Sequence, residues 1–200
     1  MKKIILASSS PRRKELMEKL QIPFEIRESN VNEEQIEVDN SPYERVKALS
    51  SAKANAVAKT VEGPAIIIGA DTVVSCLGRI LNKPQNTNDA VQMLKTLQGR
   101  KHSVYSGLTL ILKNADGSQK ETNYVDATDV SMHELSQDEI KAYVDTNECM
   151  DKAGAYAIQG KGAIFIESIS GDYYTVMGLP LAVLYRALRE NGVNIMDFWK

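Results

Sequence analysis

Apolar positions along this chain follow two rhythms. Ile4-Ile5-Leu6-Ala7 and the run from Ala65 to Val74 are nearly continuous and read as strands buried on both faces. The spacing of Val46, Leu49, Ala52, Ala56 and Val57, and of Leu181, Leu184 and Leu188, is instead that of helices with one apolar stripe. Punctuation residues set the limits. Ser10-Pro11 predicts an N-cap and first turn for a helix to about Leu20, and Pro23 to Arg27 alternates like a short strand. Ser29 to Asn40 is an acidic polar loop, and Ser41-Pro42-Tyr43-Glu44 has the form of a capping box opening a helix to Gly63-Pro64. A helix is predicted from Thr87 to Gln98, stopped by Gly99. Strands at Val104–Leu112 and Tyr124–Met132 pair through the turn Asn114-Ala115-Asp116-Gly117. Ser136-Gln137-Asp138-Glu139 is a second capping box, for a helix to about Thr146. Between Asp151 and Pro180 the chain turns glycine-rich around one strand, Ala163 to Ile169, before a last helix from Pro180 to Glu190. Apolar runs flanked by helices predict a mixed α/β fold with a parallel or mixed sheet.

Composition narrows this further. With 43% hydrophobic and 25% charged residues, 200 residues suffice for one well-cored domain, or for two lobes sharing a sheet, and no repeat or linker marks a boundary. The 24 basic residues are balanced by 26 acidic ones, which argues against general nucleic-acid binding and makes any cationic patch local. No segment approaches the ~20 apolar residues of a membrane span. The start MKKIILASSSPRR is too short in apolar residues for a signal peptide, and Cys76 and Cys149 have no metal-ligand spacing. The expected setting is a reducing cytoplasm.

The chemistry begins at Ser8-Ser9-Ser10-Pro11-Arg12-Arg13. Arg12 and Arg13 fall in the first turn of a helix, where the macrodipole is positive and backbone N–H groups are unpaired. Two cations there either point into water or join an anion, for which a phosphate is the simplest candidate. Asp71 stands inside an apolar strand and needs a partner: backbone N–H groups at a strand end, or a role as metal ligand or general base that Thr72 could orient. Lys53 and Lys83 are either further cations of the same site or solvated side chains. The Gln159 amide has one acceptor and two donors, which suit a pyrimidine, an adenine or the backbone. His102 and His133 are isolated and read as structural or exposed.

Ala7-Ser8-Ser9-Ser10-Pro11-Arg12-Arg13, Gly69-Ala70-Asp71-Thr72-Val73, Asn82-Lys83-Pro84 and Ser170-Gly171-Asp172-Tyr173-Tyr174 occur in one order. Together they resemble the Maf family of nucleoside triphosphate pyrophosphatases, from about Ile4 to the final helix. The segment Asp151-Lys152-Ala153-Gly154-Ala155-Tyr156-Ala157-Ile158-Gln159-Gly160 is similar to the branch that hydrolyses dTTP and UTP, and differs from the branch acting on 7-methyl-GTP. The resemblance implies an elongated mixed sheet flanked by helices, of the Maf/inosine triphosphatase-like kind, spanning residues 1–200 with two lobes around a central cleft. It implies house-cleaning hydrolysis of pyrimidine triphosphates, including modified ones, to monophosphate and pyrophosphate, with Mg²⁺ or Mn²⁺ bridging the phosphates. It makes Asp71 the proton acceptor, gives base selection to Arg12, Thr72 and Gln159, and sets Ser10, Arg13, Lys53 and Lys83 around the triphosphate. Asp71 and Glu33 would serve the metal, although Asn32 stands where a further acidic residue is expected. The partner is the nucleotide, with a homodimer as the implied assembly and no nucleic acid or membrane. Rival readings are a nucleotide-sensing regulator of cell division with incidental turnover, and a pyrophosphatase for 7-methyl-GTP.

Overall fold

A computed structural model describes residues 2–36, 38 and 41–199. The acidic loop predicted from Ser29 therefore lies partly outside the described residues, at Glu37, Asp39 and Asn40. Its described portion contains a single 3-10 turn, Glu33–Gln35.

The fold is mixed α/β, with a seven-stranded sheet ordered β2-β1-β3-β5-β6-β7 and β4 paired to β3. β1 (Lys3–Leu6), β2 (Glu25–Ile26) and β3 (Ala65–Cys76) run parallel, joined through α1 (Pro11–Lys19) and α2 (Pro42–Ala58). β4 (Arg79–Leu81), β5 (Lys101–Lys113), β6 (Gln119–Met132) and β7 (Ile166–Ser170) add antiparallel pairs. α3 (Thr87–Leu97), α4 (Gln137–Val144), α5 (Tyr173–Met177) and α6 (Leu181–Glu190) complete the layers.

Strand parity explains the continuous apolar runs. Ile5 of β1, Ala7 just beyond its end, and Ala65 and Ile67 of β3 pack with Ala54, Val57 and Ala58 of α2. Ile4, Leu6, Ile66, Ile68 and Ala70 face the other way, into a cluster with Leu16 and Met17 of α1 and Leu184 and Leu188 of α6. Both faces of these strands are thus covered, so no polar alternation survives in their sequence. A third cluster, including Val74, Leu94, Val104, Ile140 and Phe165, fills the far end of the sheet.

Register leaves one gap. β5 accompanies β3 from Ala65 to Ser75, whereas on the other edge β1 pairs only with Ala65 to Ile68 and β4 only with Val74 to Cys76. Gly69 to Val73 consequently has no strand partner on that edge, beside the carboxyl end of β1 where α1 begins. Open α/β sheets bind ligands at such places.

Several local expectations are revised. Ser10 has N-cap backbone geometry, but its side chain makes no capping bond, and the Ser10 N–H donates to Ser8 Oγ at 3.2 Å. Ser41 Oγ accepts from the Glu44 N–H, while both halves of a capping box form at Ser136 and Glu139. The strand predicted at Ala163–Ile169 begins later, because Gly160–Phe165 is a 3-10 segment whose Lys161 and Gly162 N–H groups donate to the Glu148 carboxylate. α5 has no counterpart among the predicted elements, although Asp172 Oδ1 accepts from the Tyr174 N–H as its cap and left-handed Gly178 ends it.

α2 lies unusually close to the sheet. A Cβ on Gly69 would strike the Ser50 carbonyl oxygen and come within 2.8 Å of Ala54 Cβ. One on Gly107, opposite Asp71 in the β3–β5 register, would strike the Val46 carbonyl oxygen. Gly107→Ala should therefore cost about 1–3 kcal/mol of stability, as overpacking against backbone does. Urea denaturation measures it, and an unchanged midpoint would contradict the tight approach.

Candidate active site

The cleft at the open β3 edge has a volume of about 520 Å³, and all nine residues singled out in the sequence line it: Ser10, Arg12, Arg13, Glu33, Lys53, Asp71, Thr72, Lys83 and Gln159. They arrive from separate parts of the chain. β3 contributes Asp71 and Thr72, which point to opposite faces of the sheet yet both reach the cleft because the edge between them is uncovered.

Asp71 is on the α2 face and only 6% exposed. Its Oδ1 accepts from Lys53 Nζ at 2.6 Å. The partner that a buried aspartate needs is thus a lysine well inside α2, rather than backbone at a strand end, and Lys53 is itself buried rather than solvated. The same ammonium lies 2.7 Å from Glu33 Oε1, on the half-exposed 3-10 turn. The two carboxylates respond differently to this shared cation. Burial pushes the Asp71 carboxyl above its ordinary value, against the opposing charges of Lys53 and Arg13. Burial also works on Glu33, but the hydrogen bond and charge of Lys53, aided by Lys83 and Arg13, hold it below the ordinary range.

Arg13 turns back from the first turn of α1 onto three neutral oxygens. Nε donates to the Gly178 carbonyl at 2.8 Å, Nη1 to Ser8 Oγ at 3.3 Å and Nη2 to Thr72 Oγ1 at 3.2 Å. Thr72 Oγ1 is 2.9 Å from Ser106 Oγ, and Ser106 donates to the Thr175 carbonyl, so the hydroxyl chain runs from Arg13 toward α5. Gly178 must be glycine here: its φ is +106°, and a Cβ would sit 3.1 Å from Thr72 Oγ1. The arrangement fixes the guanidinium without cancelling its charge.

Arg12 is held differently. Its Nη1 donates to Asp151 Oδ2 at 2.9 Å and its Nη2 to the Asp151 carbonyl at 3.3 Å. Lys152 Nζ donates to Asp151 Oδ1 at 2.6 Å. Burial pushes the Asp151 carboxyl up, but Lys152 and Arg12 outweigh it and keep it low. Gln159, at the other end of the same glycine-rich loop, donates Nε2 to Glu15 Oε1 at 3.4 Å. Lys83 is exposed in the loop after β4, next to Asn82, whose carbonyl accepts from the Gly154 N–H of the glycine-rich loop.

Sequence reasoning missed the residues that brace these groups. Asp151 and Lys152 stand inside a recognisable motif but carry no part that the motif alone reveals, and the loop's path cannot be read from its glycines. Arg45 shares one face of α2 with Leu49 and Lys53, at spacings of four, and that periodicity was a usable signal. Its buried Nε has no hydrogen-bond partner among the described residues. Six cationic and four acidic side chains line the cleft, so it carries a net positive charge. Asp172 of the Ser170–Tyr174 motif is a helix cap and does not line the cleft. Cys76 and Cys149 are buried and their thiols are pushed up by burial.

An uncovered strand edge, a helix start without a side-chain cap and a surplus of cations are the features of an α/β anion-binding cleft. Residues 3–191 match the family model described as Maf-like protein, and the chain belongs to the Maf family. It is 48% identical over 195 residues to a protein of Bacillus cereus (strain G9842) named dTTP/UTP pyrophosphatase, with 98% of each chain covered. A protein of the same name from Bacillus cytotoxicus is 49% identical over 190 residues, covering 95% of this chain and 96% of that one. Among solved structures, a HAM1 protein from Coxiella burnetii is 17% identical with a TM-score of 0.46, covering 95% of this chain and 100% of the other. That likeness is too slight to build on.

One wall of the cleft rests on a buried pair behind it. Tyr156 lines the cleft, and its hydroxyl lies 2.7 Å from Nε2 of His102, which is 3% exposed. His102 Nδ1 has no partner among the described residues, so the contact with Tyr156 is the one side-chain hydrogen bond of this imidazole there. Burial, opposed only by Asp129, lowers the His102 pKa from 6.5 to about 4. Between these values the unfolded chain takes up a proton that the folded protein refuses. Stability is therefore full above pH 6.5 and falls on acidification toward pH 4, by roughly 3 kcal/mol from this residue. Unfolding free energies measured across that range should show the slope, and His102→Gln should remove this part of it. An identical slope in the variant would contradict the assignment.

Proposed function

We propose that this chain hydrolyses dTTP and UTP to the nucleoside monophosphate and pyrophosphate, with water attacking the α-phosphorus and Asp71 accepting its proton. The observation that carries the reading is Asp71: a buried carboxylate at an unpartnered strand edge, inside a cleft otherwise favourable to anions. A site that only bound a polyanion would gain nothing from a negative group there, whereas a hydrolase needs a base. The substrate class is taken from the names of the Bacillus relatives.

Asp71 is suited to its part because burial raises its basicity while Lys53 fixes the direction of its carboxylate. Ser10, the first-turn N–H groups of α1, Arg13, Lys53 and Lys83 would bind the triphosphate. Arg13 is the best placed of these to meet charge developing on the leaving pyrophosphate, because its guanidinium is already oriented and needs no reorganisation. Arg12, Thr72 and Gln159 would face the nucleoside end. No covalent step is needed.

Asp71 and Glu33 also bear on a metal. Both are hard oxygen donors that converge on one position, now taken by the Lys53 ammonium, and no cluster of three or more His, Cys, Asp or Glu suited to a metal occurs among the described residues. One or two carboxylates, completed by phosphate oxygens and water, are the usual protein share of a Mg²⁺ site, so the donor set fits Mg²⁺ or Mn²⁺. Such an ion supplies charge neutralisation and a lowered water pKa when bound.

On the same reading the chain is one unit with a lobe on each side of the cleft. The protein would work in the cytoplasm as a homodimer acting on free nucleotide, independent of nucleic acid and membrane. No helix among the described residues is long and apolar enough to cross a membrane.

With Mg²⁺ or Mn²⁺, the purified protein should release pyrophosphate from dTTP or UTP and stop when a chelator is added. Release of orthophosphate and nucleoside diphosphate alone would contradict the proposal. Asp71→Asn keeps the size of the side chain and should lower turnover by at least ~10²-fold while the protein still folds, with Glu33 remaining on Lys53. Steady-state kinetics and circular dichroism decide it, and near-normal turnover would remove Asp71 from the mechanism.

A further inference from the structure

Glu15 lies one turn after Arg12 on α1, at the spacing that puts two side chains on one helix face. That face meets the glycine-rich loop twice. Arg12 holds Asp151 at one end, and Glu15 Oε1 accepts from Gln159 Nε2 at 3.4 Å at the other. Lys19, one turn further along, lies 3.4 Å from the same Glu15 oxygen and helps keep the carboxylate in place.

This contact has only one chemical sense. A carboxylate offers acceptors and no donor, so the Gln159 amide must turn its NH₂ toward Glu15 and its Oε1 away from it. Gln159 lines the cleft, and its Oε1 takes no hydrogen bond from the protein among the described residues. The cleft is thus offered an acceptor. Uracil and thymine carry a donor at N3, whereas cytosine carries a lone pair there, and two facing acceptors leave both unpaired. A site built to accept a hydrogen bond discriminates strongly against a ligand that cannot give one.

We infer that Glu15 is a positioning residue for base selection, which fixes the direction of the Gln159 amide so that the cleft accepts the N3–H of uracil or thymine and rejects cytosine. The inference rests on the proposed hydrolysis of pyrimidine triphosphates and adds the residue that sets the choice among them.

The test compares wild type, Glu15→Ala and Glu15→Gln for binding of UMP and CMP by calorimetry, for kcat/KM with UTP and CTP, and for inhibition by inorganic tripolyphosphate. The uridine-over-cytidine ratio should fall at least ~10-fold in Glu15→Ala. It should fall less in Glu15→Gln, where an amide can either accept from Gln159 or donate to it. Tripolyphosphate has no base and its inhibition should not move. An unchanged ratio in a folded variant would overturn the inference, as would an equal loss toward both bases and tripolyphosphate, which is the mark of a structural role. If Glu15→Ala does not fold, Glu15→Gln has the same shape and decides the question by the same ratio. A wild type that prefers UMP to CMP yet cleaves no triphosphate would sink the hydrolase reading alone, and one that cleaves UTP and CTP equally would sink the Glu15 inference alone.

Discussion

A lysine and an aspartate share a nearly dry position between α2 and β3, and the rest of the structure is arranged to make that tolerable. Taking either charge out of water alone costs several kcal/mol, so neither can be buried without the other. Their 2.6 Å contact requires α2 to press on the sheet closely enough for Lys53 to reach Asp71. Gly69 and Gly107 are what permit it, since any side chain there would meet the helix backbone. The pair sits where β1 has ended and β4 has not begun, so the burial that perturbs Asp71 and the opening that admits a ligand occur at one place.

The surrounding cations are divided by how they are held. Arg13 is fixed by three neutral oxygens and keeps its charge for whatever enters the cleft. Arg12 is already matched to a carboxylate, and that carboxylate belongs to the loop that also carries Gln159. The first arrangement is a preorganised electrostatic device; the second ties the position of one side chain to the path of a loop. Both start from adjacent residues in the first turn of one helix. On the proposed reading, a division of labour between phosphate and base would follow from which way these two neighbouring arginines turn.

Much of this was legible in the chain. Unbroken apolar runs gave the central strands, capping residues gave the helix starts, and an aspartate in an apolar strand and a basic first turn are residues that the fold brings to one cleft. What could not be read was relational. Lys53 resembles any surface lysine until the glycines that let α2 approach are seen to be opposite it in space. Ser10 stands at the N-cap position, but its hydroxyl accepts no bond from the first-turn N–H groups, which its sequence neighbours do not reveal. The Asp151–Gln159 loop gave no period to follow, and its braces, Glu148 on Lys161 and Gly162 and Glu15 on Gln159, are contacts between distant residues that no local pattern encodes.

In the proposed mechanism water reaches the α-phosphorus beside Asp71. Release of pyrophosphate alone does not locate the attack, because attack at the β-phosphorus breaks the same bridge. Hydrolysis of UTP in ¹⁸O-labelled water separates the two, read by mass spectrometry of both products. Attack at the α-phosphorus puts the label in UMP and none in pyrophosphate; label in the pyrophosphate would contradict the proposed mechanism.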